Sequence, residues 1–465
     1  MIYVPFEAGI HNITVTVYPL NDEFQPASAS ITIECATSMM TAPFSEGVFT
    51  FSESEVAALG FNAAQLTKTN GGNYELYYSK DGWTSVRSEK MSYTNTSVSS
   101  RLQALRSAGV NVLVLSNGPF AEPVGFYWET SPLKKIMDEA WFGYGIKCVV
   151  YDATIVGVDG SQEYINSVVA ERLSNVNVKS YFSHPGFMGL MVDDEPTYSK
   201  LDVVGYKYNA IQNEAKAQLG VDKVFVSSIL KFWGSDVLFD YNSYADYIQK
   251  WFDLTDADYV VVDNYSPYIL EVCTQDTLIK TFNTVNAIAK KEGAKVYSYT
   301  TAFDFSGIDG VNGVVGKDLT ASAFYQNAYL TIAYGNDLSY FTGTPSSAEN
   351  TISNTFFDFD GNVTTTKNLV ANANQIYAEI CRLLKGYTYS SDSISTKDLV
   401  STTWTNGNST AKFYVNTSVN SATRSITISS GTNYLLLGID GSITNCVGQG
   451  SRVSLSVGQA VLIFN

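Results

Sequence analysis

Apolar and polar residues follow three rhythms along the chain. Residues 10–18 (IHNITVTVY) and 27–35 (ASASITIEC) alternate with period two. Alternation predicts antiparallel strands with one face on a core and the other in water. So short a stretch cannot build a complete sandwich. A packed hairpin, or the tail of a truncated immunoglobulin-like domain, is expected over residues 1–45. From about residue 60 short unbroken apolar runs take over: FNAAQL from Phe61, VLVL from Val112, CVVY from Cys148 and MGLMV from Met188. VFV from Val224, YVVV from Tyr259, VYSY from Val296 and LSYF from Leu338 continue the series. Runs without alternation suit strands buried on both faces, as in parallel sheets. From the second run onward the starts lie 36, 40, 36, 35, 37 and 42 residues apart. The first interval is longer, stretched by a Gly- and Tyr-rich insert at 70–95.

Helical stripes fill the intervals. Val204, Tyr208, Ile211, Ala215 and Leu219 recur at spacings of 4, 3, 4 and 4, and Leu278, Phe282, Val285 and Ala289 at 4, 3 and 4. Val98, Leu102 and Leu105 make a shorter stripe of the same kind. Each is the apolar face of an amphipathic helix. Gly109, Gly220 and Gly293 follow three of these helices, where a left-handed cap would sit. Eight strand–helix units predict an α/β fold, a (β/α)8 TIM barrel over residues 46–395. A doubly wound sheet would require a Gly-rich phosphate fingerprint after its first strand, and the sequence has none. Gly307, Gly310, Gly313 and Gly316 recur every three residues after strand seven, which predicts a loop and not that fingerprint. Over residues 396–465 the texture changes again. TTWT, AKFYV, RSITI, NYLLLG, VSLSV and AVLIF alternate with Asn, Gly and Ser turns and predict an all-β, sandwich-like C-terminal domain.

Composition narrows the function. Of 465 residues, 45% are apolar, 13% aromatic and 16% charged, which excludes a disordered chain. A net charge of −16 argues against a nucleic-acid partner and against an anionic membrane surface. It suits a neutral ligand. Two histidines, His11 and His184, leave no multi-His metal site, and His184 precedes a proline and reads as a turn residue. Five cysteines without a CxxC pair indicate neither a zinc ribbon nor a disulfide framework. No cofactor is expected. The opening residues MIYVPFEAGIHN lack a basic n-region and an apolar h-region, and no apolar run approaches the ~20 residues of a membrane span. An extracellular or cell-surface protein is expected, its export signal removed or upstream of Met1.

A barrel carries its chemistry at the carboxyl ends of its strands. Strand three ends in Tyr151-Asp152, strand four in Asp193-Asp194-Glu195-Pro196, strand six in Asp263-Asn264-Tyr265, and strand seven runs on to Asp304. The run GLMVDDEP is the sharpest signal. Alternation sets Met191, Asp193 and Glu195 on one face and Asp194 on the other, and Pro196 ends the ladder because it has no N–H to give. Glycosidic cleavage needs two carboxyl groups, one protonated to assist the leaving oxygen and one ionised. A neighbouring carboxylate such as Asp193 would favour the protonated form of Glu195. The same acidic run could instead bind a cation or cap the following helix.

The eight units with Glu-Pro after strand four resemble the clan A glycoside hydrolases, whose fourth strand ends in Asn-Glu-Pro. They also resemble secreted gut-bacterial barrels in which a Gly-rich fourth strand ends in Asp-Glu-Pro and a later strand in Asp-x-Tyr-x-Pro, matched here by Asp263, Tyr265 and Pro267. The resemblance covers roughly residues 60–345 by architecture and two short motifs by residue. It implies Glu195 as acid/base and Asp194 in place of the family's Asn, which contacts the sugar 2-hydroxyl. The family's nucleophile, a Glu ending strand seven, has no counterpart in VYSYTTAFD. Asp304 is nearest in sequence, and Asp263 sits closer to its own strand end. Family 18 chitinases are similar in another respect. They pair Asp-x-Glu on strand four with a Tyr on strand six, as Asp193, Glu195 and Tyr265 could, although the longer DxxDxDxE motif is absent.

The expected activity is hydrolysis of a poly- or oligosaccharide, with Glu195 as proton donor and Asp263 or Asp304 as nucleophile, base or stabiliser. Asp152, Asp193, Asp194 and Tyr265 would line the substrate site. Trp233, Tyr268 and Trp128, with Tyr127 beside it, are candidate sugar platforms, because pyranose C–H faces stack on aromatic rings. The alternative is a non-catalytic carbohydrate-binding or adhesion protein on the same scaffold. A third reading is a hydrolase that holds calcium or magnesium on Asp152, Asp193, Asp194 and Asp263.

Overall fold

The computed structural model describes residues 9–17, 27–35, 38–43, 62–68, 74–79, 89–93, 97–116, 128, 132–220, 226–229, 243–265, 275–305, 317–341, 352–358, 361–396, 398–419 and 422–465. Eight parallel strands close into a barrel. In chain order they are Ser38–Pro43, Val112–Ser116, Lys147–Val150, Phe187–Asp194, Val226–Ile229, Tyr259–Val262, Lys295–Thr301 and Asp337–Phe341. Strand one pairs with strands two and eight, which completes the ring. Six of these strands coincide with the apolar runs, and a seventh, Val226–Ile229, meets its run only at Val226. The first does not. FNAAQL belongs to Asn62–Lys68, which pairs antiparallel with Tyr74–Ser79, itself paired with Glu89–Tyr93. These strands form a separate three-stranded sheet inserted between barrel strand one and its helix. The barrel therefore opens at Ser38, ahead of the expected boundary at 46. Strand one reads SMMTAP, whose Ser, Thr and Pro break up the apolar run that marks the other seven.

The N-terminal residues form the expected hairpin, Gly9–Val17 against Ala27–Cys35. Thr14–Ser30 and Thr16–Ser28 hydroxyl contacts of 2.8 and 2.7 Å join side chains across it. Helices start where a hydroxyl can accept an orphan N–H: Ser97, Ser161, Ser243 and Thr320 each accept from the backbone three residues on. The helix Leu201–Leu219 stops at Gly220, whose φ of 64° lies in the left-handed region. Among the described residues no helix is long and apolar enough to cross a membrane.

The barrel lumen is filled by Met39, Val112, Val114, Val149, Met188, Met191, Val261, Tyr297 and Tyr299. It is a packed core closed at its base, so any site must lie at an end. The C-terminal module is a six-stranded antiparallel sheet with a two-stranded ribbon, and its first strand is Thr388–Thr396. Leu399, Ile426, Ile428, Leu455, Val461 and Ile463 form the core between the two layers. The helix Ala321–Ala333 lies between barrel and module and is buried on nearly every side. Gln326 Nε2 donates to the Asn416 carbonyl at 3.1 Å, Tyr329 OH to that of Gly438 at 2.6 Å, and Trp404 Nε1 to that of Ala333 at 3.1 Å. Trp404 also covers Gly335, where φ is 79° and a Cβ would meet the indole at 2.8 Å.

At the amino end of strand eight, Asp337 is buried and accepts a hydrogen bond from Tyr377 OH. Burial pushes its carboxyl up to about 6, against the Tyr377 hydrogen bond and the Lys295 charge, which lower it. A carboxyl that binds its proton more tightly when folded adds stability below its unfolded value, and that contribution disappears as pH rises through the folded value. Between pH 4 and pH 7.5 the wild type should therefore lose about 2 kcal/mol of unfolding free energy relative to Asp337→Asn. Urea titrations of both proteins at the two pH values measure this difference.

Candidate active site

Strand alternation decides which residues reach the barrel mouth. On strand six Tyr259 and Val261 face the lumen, and the same face continues through Asp263 to Tyr265. Asp263 is 7% exposed and Tyr265 half-buried. The Tyr265 hydroxyl is hydrogen-bonded to Asp263, and burial, followed by the Asp263 charge and hydrogen bond, Glu195 and Tyr299, pushes the phenol well above its ordinary value. Tyr265 thus remains a neutral donor. Asp263 Oδ1 is buried and has no hydrogen-bond partner among the described residues.

Strand four arrives from across the mouth with an irregular end. Met191 pairs with Val226 and Asp194 with Ser228, so three residues oppose two and the ladder bends. Asp193 Oδ1 accepts from the Asp194 N–H at 2.9 Å. Glu195 follows with φ +46°, a left-handed conformation that costs a residue with a Cβ about 1–2 kcal/mol. Pro196 comes next, and its carbonyl accepts from Tyr247 OH at 2.9 Å, which pins the turn to the neighbouring helix Tyr244–Thr255. Such strain persists where the surroundings over-determine it, and it concentrates at functional sites. Glu195 is half-buried and Asp194 exposed. The strand-four carboxylates also reach strand three: burial, then the charges of Asp193 and Asp194, raise the Tyr151 phenol.

The structure thus brings Glu195, Asp263 and Tyr265 to one mouth, sets Asp193 between Tyr151 and Lys207, and sends other expected residues elsewhere. Asp152 is 4% exposed and turned into the wall. Its Oδ2 accepts from Tyr181 OH at 2.6 Å and its Oδ1 from Thr154 N and Oγ1 at 3.0 and 2.7 Å. Tyr151, its neighbour, faces the strand-four carboxylates instead. Asp304 exchanges backbone hydrogen bonds with Ser353, and its carboxylate accepts from the Leu319 N–H and the Asn354 side chain. It fastens three loop segments together. Burial, opposed by these hydrogen bonds, raises its pKa. Trp128 is 6% exposed and packs on Tyr181 and on His184, with ring centroids 6.4 and 5.8 Å away. It is part of the core and offers no platform to a sugar. His184 is a turn residue whose Nδ1 accepts from Gly186 N at 3.0 Å while Nε2 lies 3.1 Å from Asp138. Trp233, Tyr268 and Tyr127 lie outside the described residues. Among the described residues no three His, Cys, Asp or Glu side chains are grouped to hold a metal ion.

Sequence reasoning missed the aromatic wall beside Tyr265. Its ring meets Phe303, Phe305 and Phe341 with centroids 5.8, 6.3 and 6.0 Å away, and Phe341 meets Tyr299 at 5.6 Å. These rings come from the ends of strands six, seven and eight, where YSYTTAFDF and DLSYF carry an aromatic residue at alternate or near-alternate positions.

No family model matches the sequence, and no curated protein matches it. Solved structures do. The chain is similar to a family 39 glycoside hydrolase from the gut symbiont Bacteroides cellulosilyticus WH2 (11% identity, 99% of this chain and 95% of that one, TM-score 0.51). It is similar to an Anoxybacillus α-amylase (9% identity, 92% and 97%, TM-score 0.55). The α-amylase of Geobacillus thermoleovorans, solved with acarbose, is alike at 10% identity over 92% and 98%, with a TM-score of 0.52. At these identities the likeness establishes the shared fold, a barrel followed by a C-terminal β domain.

One side chain outside the mouth ties its two halves together. Asn327, 1% exposed on the helix after strand seven, accepts from Thr301 N at 3.0 Å and donates to the Asn264 carbonyl at 3.3 Å. It therefore links the end of strand seven to the residue between Asp263 and Tyr265. Asn327→Leu leaves two buried backbone groups unpaired and should lower stability by about 2–4 kcal/mol. Equilibrium denaturation measures the loss. A value near zero would mean that the clamp does not fix these strand ends.

Proposed function

We propose that the protein is a glycoside hydrolase that uses Glu195 as general acid/base and Asp263 as the second carboxyl group. The observation that carries this reading is the meeting of the two at the carboxyl end of one barrel: Asp263 is buried with one oxygen unpartnered among the described residues, and Tyr265 feels both charges. Asp304 is engaged with Leu319 and Asn354, which favours Asp263 over it as the second carboxyl group.

The proposed roles follow from chemistry. Glu195, held on its strained turn, delivers a proton to the glycosidic oxygen, which leaves as an alcohol. Asp263 then faces the positive charge that develops at the anomeric carbon, either attacking it or activating a water against it. The Tyr265 hydroxyl, donating to one Asp263 oxygen, keeps that carboxylate oriented and leaves the other oxygen to the reaction. The partly exposed rings of Tyr265, Phe305 and Phe341, backed by the buried Phe303, supply the apolar side of a saccharide site. A poly- or oligosaccharide without charge fits a chain of net charge −16. The similarity to glycoside hydrolase barrels in the preceding comparisons supports the same reading at the level of the scaffold.

Reducing-end release from a broad glycan panel tests the proposal. Glu195→Gln should lower turnover by about 10²–10⁴-fold, the usual contribution of a general acid, while titration calorimetry still registers binding. Asp263→Asn should be equally inactive on every substrate. Glu195→Gln should recover on aryl glycosides with a good leaving group, where protonation matters less. Wild-type activity in either variant on natural glycans would refute the assignment. Binding of glycans by the wild type without any product would favour a carbohydrate-binding protein.

A further inference from the structure

Lys207 lies in the helix Leu201–Leu219 that follows strand four, among the buried apolar residues Leu201, Val204, Tyr208 and Ile211. It is itself 3% exposed. Placing an ammonium there costs several kcal/mol unless it is paired. Packing alone would be served better by Leu or Met. The ammonium has two partners. Nζ is 2.9 Å from Asp159 Oδ1, on the loop after strand three, and 3.9 Å from Asp193 Oδ2 at the end of strand four. Asp159 is 70% exposed, so most of its charge is met by water, whereas Asp193 is 27% exposed. The other Asp193 oxygen holds the Asp194 N–H, and the next residue is Glu195 in its left-handed conformation.

We propose that Lys207 is a positioning residue for Glu195, bracing the strained turn through Asp193 and offsetting the Asp193 charge beside the proton donor. The proposal rests on the Glu195 reading given above. Charged and titratable groups at these strand ends include Asp193 and Asp194 next to Glu195 in the chain, Tyr151 on strand three, which feels both of them, and Tyr265 on strand six, which feels Glu195, Asp263 and Tyr299. Lys207 is a cation that reaches this strand end, through Asp193. Without it the Asp193 charge is no longer offset by the ammonium and repels negative charge at Glu195. The turn relaxes, and the protonated form of Glu195 persists to higher pH.

The test uses Lys207→Met, which keeps the side-chain volume, Lys207→Arg, and the double variant Lys207→Met/Asp193→Asn, assayed on the polysaccharide that the wild type cleaves fastest. Lys207→Met should lower kcat by about 10–100-fold, as a misaimed catalytic group does, and change KM by less than about threefold. The alkaline limb of its pH–rate profile should move up by about one pH unit. Lys207→Arg should keep the wild-type limb. The double variant, which removes both charges, should return the limb towards the wild type, and it carries the test if the single Met variant does not fold. Unchanged kcat and limb in Lys207→Met overturn the proposal. So does a loss of activity with an unmoved limb that the double variant does not reverse, which would make Lys207 a purely structural residue. Glu195→Gln run alongside separates the two ideas: if it retains wild-type turnover the hydrolase assignment itself falls, and if it is inactive the Lys207 results stand on their own.

Discussion

Side chains of a closed parallel barrel have two destinations, and the period of two along each strand allots them strictly. That constraint organises everything at the mouth. It sends Asp263 and Tyr265 inward and Asn264 outward, where the Asn264 carbonyl meets Asn327. It turns Asp152 into the wall with Tyr181 while Tyr151 takes the place facing strand four. Two acidic neighbours in sequence are therefore rarely neighbours in function. What counts is which of them shares a face with the lumen.

The strand ends then differ in how they hold a charge. Asp263 is buried, has a neutral phenol on one oxygen and leaves the other unpartnered among the described residues. Glu195 is reached through a bend in the ladder and a left-handed turn fixed by Pro196, Tyr247 and the Asp193 carboxylate. One group is held by burial and the other by backbone strain, in the low-dielectric surroundings where charges act on each other most strongly. Lys207 supplies the compensating charge from beneath the turn.

The repeating apolar runs made seven strands and the helices between them legible, because a strand buried on both faces leaves a continuous hydrophobic signature. Strand one escaped because SMMTAP is half polar, and the FNAAQL run imitated it while belonging to an antiparallel insert. GLMVDDEP pointed to the end of strand four, since the Glu-Pro step could be read directly. Its irregular register could not, because a bulge is a property of two strands and not of one. The surroundings of Asp304 and Trp128 were illegible for a similar reason. Their partners, Leu319 and Asn354 in one case and Tyr181 and His184 in the other, are distant in sequence, so nothing local announced that they were already engaged. The Phe303, Phe305 and Phe341 wall was legible in composition but not in placement.

The most direct measurement is a crystal structure of the Glu195→Gln variant with a bound oligosaccharide. The account expects the scissile oxygen within hydrogen-bond reach of the side chain at 195, the anomeric carbon facing Asp263, and a sugar ring against Tyr265 or its neighbouring phenylalanines. A saccharide seated away from the carboxyl ends of strands four and six, or a side chain at 195 turned from it, would contradict the account.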